Sequence, residues 1–317
     1  LCPPLIEIVI FNYMKRKSLF PFALFLLAGF LRGSAQNAAA IQSFFSPGTV
    51  FHSNLSYAGD SHDKHLLDLY LPAGNKKDRP LVVWIHGGAW NHNDKYADMG
   101  YMRQTVKAFI DSGYALASID YRFSTSAPFP AQVQDCNQAL DFLYRQAGKY
   151  GYDKNRIALI GFSAGGHLAS LIGLSQNNSI PDFYAGGNKP AFNIKCVLDF
   201  YGPADLVAAS MSTDTAENNA RSSISMLLGA VPVERPDLAK KASPVSYVDK
   251  GDPPFLIVNG EKDESVANTQ SRLLSGWLNV NGVPNELIIV PGAPHYGPMF
   301  DAPEIRQRLF LFLKKYL

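Results

Sequence analysis

The chain has 317 residues, 47% hydrophobic and 18% charged, enough apolar material for the core of one large α/β domain. Its formal net charge of +2 gives no basis for nucleic-acid binding. Its three cysteines, Cys2, Cys136 and Cys196, supply neither a disulfide framework nor metal-ligand spacing.

Read from the N-terminus, the first feature is not part of a fold. "MKRKSLFPFALFLLAGFLRGSAQ" opens at Met14 with basic residues, runs apolar from Leu19 to Leu31 and exits through Gly33, Ser34 and Ala35. That pattern is a secretory signal peptide. The apolar stretch is shorter than the roughly 20 residues a spanning helix needs. No cysteine at the exit offers a lipid anchor, and residues 1–13 read as preceding the true start. Cleavage after Ala35 removes Lys15, Arg16, Lys17, Arg32 and Glu7, which takes the balance from +2 to −1. The expectation is an exported protein without stable membrane insertion, with residues 1–35 as signal and upstream sequence and 36–317 as one domain.

Apolar runs then alternate with helical segments. Strands are expected at 65–71, 80–86, 114–120, 156–161, 194–200, 254–260 and 286–290, with helices at 97–112, 131–149, 164–175, 265–281 and 302–316. The first strand, "HLLDLYL", partly alternates and suits an antiparallel edge. The later ones are nearly continuous apolar, as parallel strands covered on both faces should be. This alternation predicts a mostly parallel sheet flanked by helices, with the site at the carboxyl ends of the strands. Residues 203–250, rich in Ala, Ser and Asn, break the rhythm. They read as a cap insertion partly covering the site, or as a plain surface excursion.

"GFSAGG" (161–166) lies between the apolar run "RIALI" and the helical "HLASLIGL". Gly161 and Gly165 on either side of Ser163 permit a turn sharp enough to hold up a serine hydroxyl as a nucleophile. An ordinary strand-to-helix turn would use the same small residues, so partners must decide. A catalytic serine needs a base, and the base needs an orienting carboxylate. Asp263 follows the strand "PFLIVNG" and His295 follows "ELIIV". The order Ser163, Asp263, His295 is nucleophile, acid, base, each on a loop after a strand. Glu264 is a weaker candidate acid. His167, on the helix after Ser163, suits packing, and His52 and His92 read as surface residues. His62 and His65, near Asp60, Asp63 and Asp68, suit turn and strand-edge positions better than a metal site. "HGGAW" (86–90) follows another strand. Gly87 and Gly88, with Ala164, offer backbone amides for an oxyanion hole. Trp90 is either a pocket wall or core packing.

"HGGAW", "DYRFSTSAPFPAQVQDC", "YGYDKNRIALIGFSAGGHLASLIG", "DFYGPADL", "PPFLIVNGEKDESV" and "GAPHYG" occur in this order. Together they resemble the hormone-sensitive-lipase-like branch of the α/β-hydrolases, and within it the bacterial acetyl xylan and feruloyl esterases. The resemblance runs from about residue 60 to the C-terminus. It implies a serine carboxylesterase that needs no metal or organic cofactor. Its substrate would be a small ester or an acylated oligo- or polysaccharide. Two departures stand out: Ala267 where a proline often follows the acid, and Tyr296 where a glycine often follows the base. Tyr296 would narrow the pocket and, with Trp90, contact substrate. An amidase or peptidase using the same triad is the alternative, since kynurenine formamidase shares the HGG-x-W segment. The propeller-like domain that screens peptides in prolyl-oligopeptidase relatives is absent from the sequence. A catalytically silent binding protein would usually have lost a triad member.

Overall fold

In the computed structural model, residues 37–212 and 221–317 are described. The expected signal peptide lies outside them, as do residues 213–220 of the 203–250 segment. Residues 37–40 are helical and belong to a separate unit; the account below concerns Ile41–Leu317.

Among the described residues, eight strands form one sheet in the order β1-β2-β4-β3-β5-β6-β7-β8. They are β1 (Val50–Ser56), β2 (Leu66–Leu71), β3 (Arg79–Ile85), β4 (Ala115–Ile119), β5 (Tyr152–Phe162), β6 (Ile194–Phe200), β7 (Phe255–Gly260) and β8 (Asn285–Val290). β2 is antiparallel to both β1 and β4, and the pairs from β4 through β8 are parallel. The central strands have no solvent face: Leu81 to Ile85 in β3 and Ile157 to Ile160 in β5 are fully buried. This is why their sequences read as unbroken apolar runs. The helices are α1 (Arg103–Asp111), α2 (Ala131–Tyr150), α3 (Ala164–Ser175), α7 (Thr269–Val280) and α8 (Pro303–Tyr316), which pack against the sheet, and α4 (Leu206–Ser212), α5 (Ser223–Leu228) and α6 (Pro236–Ala242) in the 203–250 segment. α2 stops where Gly151 takes a left-handed conformation, φ 76°, and its N–H bonds back to Ala147 O. This is the α/β-hydrolase fold.

Four elements differ from the sequence expectation. β2 is not an edge, because β1 pairs on its outer side. β1 carries no alternating pattern, since most of its residues are half-buried or exposed. The helix expected from residue 97 begins only at Arg103, after a run of turns in which Asp98 holds φ 69°. The helix expected from 265 begins at Thr269, because residues 265 and 266 instead turn around the Asp263 carboxylate.

The site follows from the strand order. β3 is followed in the chain by β4 on one side, and then by β5 on the other. The loops leaving the carboxyl ends of β3 and β5 therefore diverge and leave a crevice between them. Gly87 and Ser163 meet at that crevice: a Cβ on Gly87 would stand 3.5 Å from Ser163 Cβ.

Candidate active site

β5 ends at Phe162, and the chain reverses into α3 through Ser163, whose φ of 52° and ψ of −117° are strained for a residue with a Cβ. Three glycines make the reversal possible. A Cβ on Gly161 would collide with the Gly165 carbonyl, and one on Gly165 with the Ile85 carbonyl. A Cβ on Gly166 would press on the Asp199 carboxylate and the Phe200 carbonyl. The Ser163 N–H donates to Phe200 O at 2.9 Å, and the Ser163 carbonyl accepts from His167 N at 2.9 Å, the first bond of α3. The hydroxyl thus stands at a helix N-terminus, where the positive end of the helix dipole faces it.

The loops after β7 and β8 bring the partners. His295 Nε2 lies 2.9 Å from Ser163 Oγ, and His295 Nδ1 lies 2.7 Å from Asp263 Oδ2. With Nδ1–H donating to the carboxylate, Nε2 is the free acceptor for the serine proton. The Asp263 side chain is fully buried and accepts three more hydrogen bonds. These come from Ser265 N (2.9 Å) and Val266 N (2.8 Å) to Oδ1, and from Asn259 Nδ2 (3.1 Å) to Oδ2. Ser271 Oγ donates in turn to Asn259 Oδ1 at 2.6 Å and orients the amide. The Tyr201 ring packs against the imidazole with centroids 4.8 Å apart. Asn259 and Tyr201 were not singled out from sequence, because a strand asparagine and a loop tyrosine carry no pattern that separates them from core packing. Glu264 does not orient His295, although it lines the same cavity.

The "HGGAW" loop forms the opposite wall, and here one expectation is corrected. The Gly87 N–H already donates to Asp98 Oδ2 at 2.7 Å. The amides of Gly88, Ala89 and Ala164 have no acceptor among the described residues. The unoccupied amide donors beside the elbow are therefore Gly88 and Ala164 of the expected set, together with Ala89. Gly88 (φ 119°), Ala89 (49°), Trp90 (58°), Asn93 (75°) and Asp98 (69°) all hold positive φ, a concentration of strain that shapes this loop. Beneath it, burial pushes the His86 imidazole down to about 3, so it stays neutral. The buried Lys95 sits 3.6 Å from Asp68 and 3.7 Å from Asp120, and Asp120 also accepts from Lys64 Nζ at 3.0 Å.

Trp90 proves to be both core and wall: it is 4% exposed, yet its ring borders the cavity. Its Nε1–H donates to His167 Nδ1 at 3.2 Å, and His167 Nε2–H donates to the Ala242 carbonyl at 2.8 Å. His167 therefore ties the "HGGAW" loop to α6. Burial holds its imidazole down at about 4, so both bonds persist at neutral pH. His92, expected at the surface and unpaired, is exposed but lines the cavity and bonds Asn91 Oδ1 at 2.7 Å. His52 packs on Tyr150, with centroids 4.8 Å apart. His62 and His65 stack at 4.6 Å, and His65 bonds Asp60. Pro203, Ala209, Ser223 and Ile224 of the 203–250 segment contribute to the cavity wall, as do Ala267 and Tyr296. The cavity measures about 880 Å³.

Residues 67–278, well over half of the chain, match the family model described as BD-FAE. The chain belongs to the BD-FAE family. Among curated proteins it is 31% identical to Esterase LipQ of Mycobacterium tuberculosis over 81% of this chain and 59% of that protein. It is 26% identical to isoprenylcysteine alpha-carbonyl methylesterase ICME of Arabidopsis thaliana over 86% of this chain and 61% of that one. The chain thus spans roughly three-fifths of these relatives' length. A solved structure described as a truncated form of a carbohydrate esterase from gut microbiota superposes with a TM-score of 0.75 at 31% identity. The match covers 85% of this chain and 98% of that one.

Proposed function

We propose that this BD-FAE protein is an exported serine hydrolase of carboxylic esters that removes acetyl or feruloyl groups from acylated plant oligo- or polysaccharide. The observation that carries the reading is the unbroken sequence Ser163 Oγ, His295, Asp263, with spacings of 2.9 and 2.7 Å, at the edge of an open cavity. His295 takes the proton of Ser163 as the hydroxyl attacks the ester carbonyl. Asp263 holds the imidazole in the productive tautomer and steadies its positive form. The free amides of Gly88, Ala89 and Ala164 receive the negative oxygen. His295 then protonates the leaving alcohol, and water repeats the cycle on the acyl-enzyme.

The saccharide part of the reading is supported by the cavity's chemistry. Tyr101, Tyr201, Asn93, Ser265 and Gln270 offer polar groups around it, and Tyr296 stands at its mouth with 64% of its surface exposed. Hydroxyl-rich rings are recognised by such donors and by aromatic faces. The similarity to a carbohydrate esterase along nearly its whole length points the same way. Export rests on residues 14–35, and N-terminal sequencing of secreted material should begin near Gln36. The reading is tested with acetylated xylan, methyl ferulate and graded p-nitrophenyl esters, each offered to the wild type and to Ser163→Ala. Release of acetate or ferulate by the wild type alone is expected. Cleavage of anilides in preference to esters would favour the amidase alternative.

A further inference from the structure

Gly87 is held through the peptides on both sides of its Cα. In the His86–Gly87 peptide, Asp98 Oδ2 accepts the Gly87 N–H at 2.7 Å. In the Gly87–Gly88 peptide, the Gly87 carbonyl receives His86 Nδ1–H at 2.6 Å and Asn93 Nδ2–H at 3.3 Å. A trans peptide is planar, and the Gly88 N–H lies opposite the Gly87 carbonyl within it. Fixing that carbonyl toward His86 and Asn93 therefore fixes the direction of the Gly88 N–H, one of the free amides at the crevice. Gly88 itself must lack a side chain, because a Cβ would run into the His92 carbonyl.

The Asp98 carboxylate is shared with a second donor. Its Oδ1 accepts from Tyr101 Oη at 2.7 Å, Tyr101 Oη meets Tyr201 Oη at 2.7 Å, and the Tyr201 ring lies on His295. Burial pushes the carboxyl above its ordinary range. The residue also holds a left-handed backbone, φ 69°, to reach this position. A strained, half-buried acid beside a site that must stabilise negative charge is unfavourable unless its hydrogen bonds are needed.

We propose that Asp98 is a positioning residue of the oxyanion site: it withdraws the Gly87 amide from the crevice and, with His86 and Asn93, sets the Gly87–Gly88 peptide so that the Gly88 N–H meets the developing oxyanion. This rests on the serine-esterase reading above. Asp98 touches no reacting atom; it acts through Gly87, whose N–H it holds, on the peptide that follows.

The test is steady-state kinetics on p-nitrophenyl acetate for wild type, Asp98→Ala and Asp98→Asn, with the rate of Ser163 labelling by a fluorophosphonate and a melting curve for each. Asp98→Ala should lower kcat by about 10²-fold, the loss typical of one oxyanion donor, with KM changed by less than about threefold. Fluorophosphonate labelling should slow in parallel, because its phosphoryl oxygen uses the same amides. Asp98→Asn keeps an acceptor for Gly87 and should recover at least about a tenth of wild-type kcat. If Asp98→Ala does not fold, Asp98→Gly, which also lacks an acceptor and suits the left-handed backbone at φ 69°, is measured in its place. Unchanged kcat in the folded variant without an acceptor overturns the proposal, as does a kcat loss no larger than the loss of folded protein. A wild type that hydrolyses no ester would instead overturn the serine-esterase reading, a result distinct from active wild type with indifferent Asp98 variants.

Discussion

His295 Nε2 stands 2.9 Å from Ser163 Oγ across 132 residues of chain, and its other ring nitrogen stands 2.7 Å from Asp263 Oδ2. The pairing depends on three loops that leave the sheet at the same end, after β5, β7 and β8. The sheet supplies the convergence, and each loop supplies one group.

Replacing any member should therefore stop turnover without unfolding the protein. Ser163→Ala and His295→Ala should each lower kcat on a p-nitrophenyl ester by about 10⁴-fold or more, and the double variant should be no worse than either alone. Asp263→Asn keeps size but favours the wrong imidazole tautomer, so a loss of about 10⁴-fold is expected there too. Initial rates beside melting curves check this; residual turnover within tenfold of wild type in Ser163→Ala would remove the serine from its role.

The turn that presents Ser163 makes a prediction about stability. Gly165→Ala would drive a methyl group into the Ile85 carbonyl, a backbone atom that cannot swing aside. A cost of about 3 kcal/mol or more is expected, with loss of soluble protein on expression. Gly148→Ala in α2 meets nothing within 4 Å and has no positive φ. It should stabilise by about 0.5 kcal/mol, because alanine restricts the unfolded chain and suits a helix. Chemical denaturation of the two variants should move in opposite directions.

These contrasts mark what the sequence could and could not reveal. The parallel strands were legible because full burial leaves an apolar run with few competing explanations. The spacing of Ser163, Asp263 and His295 was legible because each follows such a run. β1 was not, since an edge strand half in water has no pattern to show. The commitment of the Gly87 amide was not legible either. It depends on Asp98, 11 residues further on, which a continuous helix from residue 97 would have carried elsewhere. His167 was read as packing, and its two hydrogen bonds to Trp90 and Ala242 depend on a distance that no local pattern encodes.

Two buried groups near the elbow should pull stability in opposite directions with pH. His167 is held down at about 4 against an ordinary 6.5, because burial disfavours its charged form. Its contribution is full above pH 6.5 and is lost as pH falls toward 4, by roughly 3 kcal/mol. Asp199, also buried, is pushed up to about 6 from 3.8 by burial, despite bonds from Ser170 Oγ and Gly202 N. Its contribution is full below pH 3.8 and declines as pH rises through about 6, again by roughly 3 kcal/mol. Urea unfolding between pH 4 and 8 should show the acid-side loss flattened in His167→Gln. Asp199→Asn should gain on wild type as pH rises from 4 to 7. A wild-type profile that neither substitution alters would contradict both assignments.

The cavity's charges make a prediction about substrate choice. Asp98 and Glu264 line it, and no lysine or arginine does so among the described residues. Glu264 is exposed, while Asp98 is engaged by Gly87 and Tyr101. An ester whose acyl chain ends in a carboxylate must therefore approach like charge without a cation to receive it. Ethyl butyrate and ethyl hydrogen succinate share the leaving alcohol and have acyl chains of the same carbon count, differing mainly in that terminal charge. At pH 7.5 and low salt, kcat/KM for the succinate ester should be lower by roughly three- to thirtyfold, the scale of one or two screened unit charges. Raising the salt to about 1 M, where the screening length is about 3 Å, should remove most of the difference. Glu264→Gln should recover the larger part of it at low salt, because that carboxylate is the exposed one. Equal rates on the two esters at low salt would mean that the acyl chain lies away from this wall, and the carboxylates would then be assigned to the alcohol side of the substrate.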